Sequence, residues 1–532
     1  MPDPTSTPLY EKLLAAARAP ADEPAPRASV AVIPWRRTPE RGLEVFWVRR
    51  APTMQFMGGW YAFPGGGVAR RDAAVPVDGE PAETAAGRVT DPLPGLDEDA
   101  RARLGPDLAP GVVPAALREL FEETGLLLTS PAGAPAPEAL APARRRLLAK
   151  EADFAALAAE QGWRLTAAPL VFAGRWLTPP VAPVRFDNRF FLLEWPADRR
   201  PQPELLGGEH DHGEWTAPAA AVERWEAGEA IAAPPIVHAL RVLAEDGPEK
   251  GLARLHDPRE ADLGPMRRIE FRPGVVLLPL RTLTLPPATH TNAYLLGLGE
   301  VVLVDPASTL PGEVAALKQA VAAAQAQGRR VRAIWLTHHH PDHVGAVNAM
   351  REELGVPVLA HPATAERLAP RGIAVDGALH DGERVELAGF PVRVFHTPGH
   401  ARGHLCFYDE RRGSLLAGDL IAGLGTIVID PPEGDMDEYL RSLERMIELA
   451  PKTLFPAHGP VVLESVAKLT EYRDHRLWRE ERIVEAWRDG LRTPRAMVAR
   501  VYEDVPAEVH PVAERQIEAH LVRLRRLGRI EA

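Results

Sequence analysis

The stretch Val331-Arg-Ala-Ile-Trp-Leu336, running into Thr337-His-His-His-Pro-Asp-His343, decides the reading of this chain. An apolar strand ends abruptly in a turn crowded with imidazoles and a carboxylate. His338 and His340 are two residues apart, and Asp342 and His343 follow directly. A tight turn after a strand can aim the first pair at one metal ion and the second pair at another. Imidazole and carboxylate are the ligand types expected for zinc.

Further groups of the same kind sit at other strand ends. Val392–Phe395 runs into His396-Thr-Pro-Gly-His400, Ser414–Ala417 into Gly418-Asp419, Thr453–Phe455 into Pro-Ala-His458-Gly, and Val301–Val304 into Asp305. One histidine beside a strand is more often structural than a ligand. Several such strand ends in one stretch are hard to produce by packing alone. Ligands at the ends of several strands converge on one edge of a sheet.

With its His-x-His-x-Asp-His turn and later His, Asp and His, the stretch from about Val275 to Val462 resembles the metallo-β-lactamase superfamily. The resemblance implies two Zn2+ ions. His338, His340 and His400 would hold one, Asp342, His343 and His458 the other, and Asp419 would bridge them. Asp305 would support the loop without ligating. Two metals lower the pKa of a water that attacks an electrophilic carbonyl or phosphorus, and Asp342 is also a candidate catalytic residue that orients it. His361 and His404 fall outside the ligand pattern and read as supporting or structural.

A second constellation lies upstream. Glu119, Glu122 and Glu123 stand at i, i+3 and i+4, on one face of a helix read over Pro114–Thr124. A solvated acidic face is the plain reading. A hard cation gathering the carboxylates is the alternative. Arg118-Glu-Leu-Phe-Glu-Glu-Thr-Gly-Leu126 matches the second half of the Nudix box, and Gly66 followed by Asp72 resembles the first half. Two departures stand out: Asp72 replaces Glu, and residues 73–117 replace a seven-residue spacer.

With Phe63-Pro-Gly-Gly-Gly67, Trp176-Leu-Thr-Pro-Pro180 and Arg185-Phe-Asp-Asn-Arg-Phe-Phe191, this part resembles Nudix hydrolases of the peroxisomal coenzyme A diphosphatase type over about 28–245. The resemblance implies Mg2+ or Mn2+ held by Glu119, Glu122 and Glu123, with Glu119 also a candidate catalytic base. Glu209 would be a further metal ligand, with Glu214 as its competitor. Arg49 and Arg50 are candidate phosphate contacts. The shorter Asp72 is expected to hold its partners weakly.

The 532 residues exceed one ordinary core, and the net charge of −11 argues against a whole-molecule nucleic-acid binder. The single cysteine, Cys406, excludes an internal disulfide, and its apolar setting reads as a small buried hydrophobe. No basic-then-apolar leader or membrane-spanning run is evident, so a cytoplasmic, non-membrane enzyme is expected. The organisation read from the sequence is an arm at 1–26, a Nudix-like domain at 27–245 with an insertion at 73–117, and a linker at 246–270. A metallo-β-lactamase-fold domain at 271–464 and a tail at 465–532 follow. The expected fold class is α/β and α+β multidomain: a Nudix α/β/α sandwich, a metallo-β-lactamase αββα sandwich and a small helical winged-helix-like tail.

The tail, from Arg473-Asp-His-Arg476 onward, resembles that of the lactamase-beta-like protein 2 family, which includes single-strand endoribonucleases. Leu521, Leu524 and Leu527 suit a helix packed on a core. The expected function is a two-domain metal-dependent hydrolase acting on nucleotide-linked, coenzyme A-like or thioester small molecules. The alternative is an RNA endoribonuclease with the Nudix part as a nucleotide-binding regulatory module. RNA and a second copy of the chain are the other candidate partners, and packing or dimerisation is the favoured role of the tail.

Overall fold

This computed structural model describes residues 26–54, 57–81, 108–130, 135, 137–178, 185–256, 269–505 and 507–531. The arm up to residue 25, the insertion between 82 and 107, Pro179 and Pro180, and linker residues 257–268 lie outside the described residues. The chain divides into two compact units, one ending at Arg272 and one running from Pro273 to the C-terminus.

In the first unit, strand Arg27–Thr38 alternates its side chains between two cores. Val30 and Val32 join one apolar cluster, and Ala31, Ile33 and Trp35 join the other. That period of two is what a strand buried on both faces requires. The strand pairs antiparallel with Gly42–Arg50 and with the short Gly65–Gly67, and parallel with Phe186–Glu194. The helix Val112–Thr124 packs on one face of the sheet and the helices Pro218–Glu226 and Pro234–Glu245 on the other. The result is an α/β/α sandwich.

Three readings change here. The glutamate helix begins at Val112, so the insertion read over 73–117 includes its first turns. The helical segment read at Pro142–Glu160 is two helices, Pro137–Leu148 and Phe154–Gln161. Lys150 takes a left-handed φ of 59°, and the Asp153 side chain caps the second helix by accepting from Ala156 N at 2.7 Å. The linker read at 246–270 is not a free linker over its first part. Gly247–Lys250 and Leu252–His256 are short helices, Leu255 is buried in the first unit's core, and His256 Nε2 donates to the Phe172 carbonyl at 2.8 Å.

In the second unit, six strands run in the order Val275–Arg281, His290–Gly297, Glu300–Val304, Arg330–Trp335, Val358–Ala360, Gly377–Ala378. Five more form a second sheet: Arg384–Glu386, Pro391–His396, Leu405–Asp409, Ser414–Gly418, Thr453–Pro456. The sheets face one another, with Trp335 against Phe407 at 5.0 Å and Tyr294 edge-on to Phe455 at 6.1 Å between ring centroids. Their outer faces are covered by helices, Pro311–Ala326 on the first and Met436–Leu449 on the second. This is an αββα sandwich.

The long helix Ser465–Arg488 serves two cores. Leu469 and Tyr472 pack with Met436–Leu449, while Ile483 and Val484 pack with Pro494–Val501 and His510–Arg526. Leu521 and Leu524 are buried there as read, but Leu527 stands at the helix end and is 50% exposed. No helix among the described residues is long and apolar enough to cross a membrane.

Trp335 is 1% exposed and wedged between the two sheets. Trp335→Ala should destabilise the second unit by about 3–5 kcal/mol through lost burial and a residual cavity. Denaturant unfolding should show this in that unit's transition and leave the first unit's transition in place.

Candidate metal centres

The second unit brings the histidines and aspartates of its strand ends into one pocket. Ligand-type atoms of His338, His340, His400 and Asp419 all lie within 4.8 Å of one another, as do those of Asp342, His343 and His458. His338, His343, His400, Asp419 and His458 are buried, and His340 and Asp342 half-buried. The partition is the one read from the sequence. Asp419 touches both groups: its Oδ2 is 3.3 Å from His400 Nε2, and its Oδ1 is 3.5 Å from His343 Nε2 and 3.4 Å from His458 Nε2.

The far nitrogens of three rings are anchored. His343 Nδ1 donates to Asp305 Oδ2 at 2.8 Å, His400 Nδ1 to the Val428 carbonyl at 2.7 Å, and His458 Nδ1 to the His290 carbonyl at 3.0 Å. Each anchor leaves Nε2 turned inward as the ligating atom. In the other group, His340 Nδ1 faces His338 Nε2 at 3.0 Å and His400 Nε2 at 2.9 Å. Burial and the neighbouring imidazoles drive His338 and His340 well below the ordinary range. A neutral His340 can donate one proton from Nδ1 to either neighbour; with that proton on Nε2 instead, the lone pairs converge on one point, the arrangement a bound cation uses. His343 and His458 behave oppositely. Burial would lower them, but Asp419, joined by Asp305 at His343, outweighs it and raises both. Among the described residues His343 Nε2 and Asp419 Oδ1 are buried without a hydrogen-bond partner, so the donor set fits a bound metal pair.

Asp305 supports the whole turn. Its carboxylate accepts from Thr337 N at 2.8 Å, Thr337 Oγ1 at 2.6 Å and His343 Nδ1. Its backbone sits at φ 48°, a left-handed conformation that a non-glycine residue keeps only where its surroundings hold it. His404, outside the ligand pattern, accepts from Asp419 N at 2.9 Å through Nε2 and donates to Thr397 Oγ1 at 2.8 Å. His361 caps a helix through Ala363 N and stacks on His396 at 4.1 Å. Cys406 is fully buried, and burial pushes its thiol up to about 12. A Cβ on Gly399 would come within 2.3 Å of the Tyr439 backbone, so only glycine lets the His400 loop lie against the helix Met436–Leu449.

The first unit's glutamates are gathered differently. Arg118, buried and missed as a site residue in the sequence reading, reaches three carboxylates. Nη1 donates to Glu119 and Glu122 at 2.7 Å each, while Nε and Nη2 grip Asp72 at 2.8 and 3.0 Å. The expected weak hold of Asp72 is therefore not found. The shorter side chain is buried and paired bidentately with Arg118, and it also accepts from Ala69 N at 2.7 Å. Glu123 turns the other way and accepts from Gly65 N at 2.8 Å. A Cβ on Gly66 would meet the Glu119 carboxylate at 2.5 Å, and one on Gly65 the Val30 carbonyl at 2.2 Å.

These carboxylates form no metal-holding group as tight as the histidine pocket among the described residues. The Arg118 guanidinium draws Glu119 and Glu122 to itself, away from Glu123. Burial pushes Glu119 up to about 7 against the pull of Arg118, with Glu122 and Glu209 adding repulsion. Burial and Glu119 push Glu123 well above the usual carboxylate range. Exposed Glu209 thus acts on both, whereas Glu214 is committed to Arg224 at 2.5 Å and Trp47 Nε1 at 3.2 Å. Buried His210, also missed, lies 3.8 Å from Glu123. Arg49 is held by Asp211 at 2.8 and 2.9 Å.

The tail arginines are largely neutralised. Arg479 pairs with Asp504, Arg482 with Glu503, Arg515 with Asp430 and Glu518, Arg523 with Glu480 and Asp437, Arg526 with Asp435 and Arg529 with Glu481.

Comparison with known proteins agrees with this geometry. Profiles of the metallo-beta-lactamase superfamily match residues 286–458, the NUDT19 Nudix domain 12–243, and the beta-lactamase associated winged helix domain 493–532. A "Beta-lactamase-like protein 2 homolog" of Drosophila melanogaster is 32% identical over 254 residues, 45% of this chain and 84% of that protein. An "Atrochrysone carboxyl ACP thioesterase" of Aspergillus chevalieri is 33% identical, covering 41% of this chain and 70% of that protein. A NUDIX hydrolase structure from Alicyclobacillus acidocaldarius is 29% identical with a TM-score of 0.33, covering 43% of this chain and 96% of that one. The chain belongs to the metallo-β-lactamase superfamily, in the group of the beta-lactamase-like protein 2 homologues, and carries a NUDT19-type Nudix domain ahead of that fold. It is a metal-dependent hydrolase.

Two predictions follow from the electrostatics. Asp305→Asn, which weakens the anchor of His343, should lower zinc affinity by roughly ten-fold or more in a chelator competition. The second concerns Glu119. A carboxyl raised from 4.5 to about 7 in the folded state stabilises below pH 4.5, and that contribution is lost as pH rises through 7. Without divalent cation, wild type should therefore lose stability relative to Glu119→Gln across that window. The difference removes His210, which burial lowers to about 4 and which titrates with the opposite sign. Added Mg2+ should cancel the loss above pH 7.

Proposed function

We propose that the second unit is a dinuclear zinc thioester hydrolase and the first a Mg2+- or Mn2+-dependent pyrophosphohydrolase of coenzyme A-like diphosphates. The observation that carries the first half is the buried convergence of seven ligand groups with His343 Nε2 and Asp419 Oδ1 unpartnered. His338, His340 and His400 would hold one ion, Asp342, His343 and His458 the other, and Asp419 would lie between them. Bound there, a zinc pair supplies a water of lowered pKa and a cationic seat for the oxyanion. Asp342 would be placed to orient the attacking water. Asp305, the Val428 carbonyl and the His290 carbonyl fix the rings so that Nε2 needs no reorientation when substrate arrives.

A thioester substrate is favoured over RNA for two reasons. The Aspergillus relative carries a thioesterase name. Many of the tail arginines that could meet phosphates, Arg479, Arg482, Arg515, Arg523, Arg526 and Arg529 among them, are already paired with carboxylates. In the first unit Glu119, Glu122 and Glu123 would hold the cation, with Glu209 as a further ligand. Glu119, at about 7, is near the value a general base needs at neutral pH. To hold a cation, Glu119 and Glu122 would have to release Arg118, while Asp72 would keep its hold on the guanidinium. One chain would then cut the thioester and the diphosphate of a single substrate class. Buried Cys406 suits a reducing compartment, and the cytoplasm is the proposed location.

Assays with an acyl-coenzyme A and with coenzyme A itself test this. His340→Ala should abolish thioester hydrolysis and leave diphosphate cleavage intact, and Glu122→Gln should do the reverse. Cleavage of single-stranded RNA by the wild type, lost in His340→Ala and without thioester turnover, would contradict the substrate assignment.

A further inference from the structure

We infer that Arg476 and Tyr472, one turn apart on the helix Ser465–Arg488, are positioning residues for the dinuclear centre. The C-terminal helices are thus part of the metal site's support, beyond packing or association. This rests on the reading of His400 and His458 as ligands.

The segment that joins them to the centre is 421–430, which has no helix or strand of its own. It leaves Asp419 directly. Gly423 N donates to the His458 carbonyl at 2.7 Å, and the Val428 carbonyl accepts His400 Nδ1 at 2.7 Å. Three of the seven ligand residues therefore touch or adjoin this irregular stretch. A backbone without its own ladder must be held from outside if its carbonyl is to aim a ring.

The tail helices supply that hold. Tyr472 Oη accepts from Ala422 N at 3.1 Å and lies 3.1 Å from the Ala422 carbonyl and 3.3 Å from that of Gly425. Arg476 Nη2 donates to the Ile427 carbonyl and to Thr426 Oγ1 at 3.3 Å. Arg515, from the last helix, donates to the Pro431 carbonyl at 2.6 Å. Arg476 grips the residue immediately before Val428, so it sets the peptide whose neighbour orients His400.

The chemistry of Arg476 points the same way. It is 2% exposed and pairs with no carboxylate among the described residues. Its other contacts are neutral: Gln516 Oε1 accepts from Nη1 at 3.0 Å, and the Tyr439 ring lies 5.6 Å from the guanidinium carbon. Burying an unpaired guanidinium is costly. An apolar side chain would fill the space at lower cost. The charge-assisted bond to Ile427 is what the arginine adds.

The test uses the full-length chain with excess Mg2+ to occupy the glutamate site. Zinc affinity is read by competition with a chromophoric chelator, and the Co2+-substituted pocket by its visible spectrum. Arg476→Met should weaken zinc binding roughly ten-fold or more and alter the Co2+ bands. Arg476→Lys, which can still reach a carbonyl, should recover part of the loss. Tyr472→Phe should shift both readouts in the same direction by less. Wild-type affinity and spectrum in all three would overturn the proposal. Should Arg476→Met fail to fold, Tyr472→Phe decides by the same criterion. A wild-type chain that takes up no zinc would instead overturn the metal-centre reading, and the clamp with it.

Discussion

Four imidazoles and a carboxylate buried in one pocket satisfy one another only in part. His340 Nδ1 faces two other ring nitrogens at 3.0 and 2.9 Å and can donate to only one, and among the described residues His343 Nε2 and Asp419 Oδ1 have no hydrogen-bond partner. Much of the second unit serves to hold this unfavourable arrangement in place. Two sheets deliver the groups at their strand ends, Asp305 ties down the turn from a strained backbone position, and backbone carbonyls fix the outer nitrogens. Such a constellation is stable only if it is rigidly supported and completed by cations, and the support is what the fold provides.

The first unit solves a related problem with different chemistry. Its acidic helix holds Glu119, Glu122 and Glu123 beside Asp72, which would repel without a counter-charge. Here the protein carries its own, in Arg118. The guanidinium keeps a permanent bidentate hold on Asp72 and a second, exchangeable hold on Glu119 and Glu122. The two centres thus differ in readiness. The histidine pocket turns its ligand-type atoms toward one another, whereas the glutamate site is organised around an arginine that a cation would have to displace.

Both sandwiches and all seven groups of the histidine pocket were legible in the sequence, because chemistry-bearing residues at strand ends leave a linear trace. Asp305 and His404 were legible too, one as loop support and the other as a residue outside the ligand pattern. What stayed hidden depends on contacts distant along the chain. Arg118 was quoted as part of a motif, yet its grip on Asp72, 46 positions away, gave no local sign. The hold of Arg476 on the Ile427 carbonyl, 49 positions away, stayed hidden for the same reason, and the Val428 carbonyl because a backbone oxygen has no sequence signature. The linker reading failed at Leu252–His256 because polar composition concealed Leu255, a single buried anchor.

The account stands on two ions sharing Asp419. Anomalous diffraction at the zinc edge, from crystals of the zinc-loaded chain, tests this most directly. It should show two peaks flanking the Asp419 carboxylate, one among His338, His340 and His400 and the other among Asp342, His343 and His458. A zinc-loaded crystal with no peak in that pocket, or with zinc bound elsewhere on the chain, would contradict it.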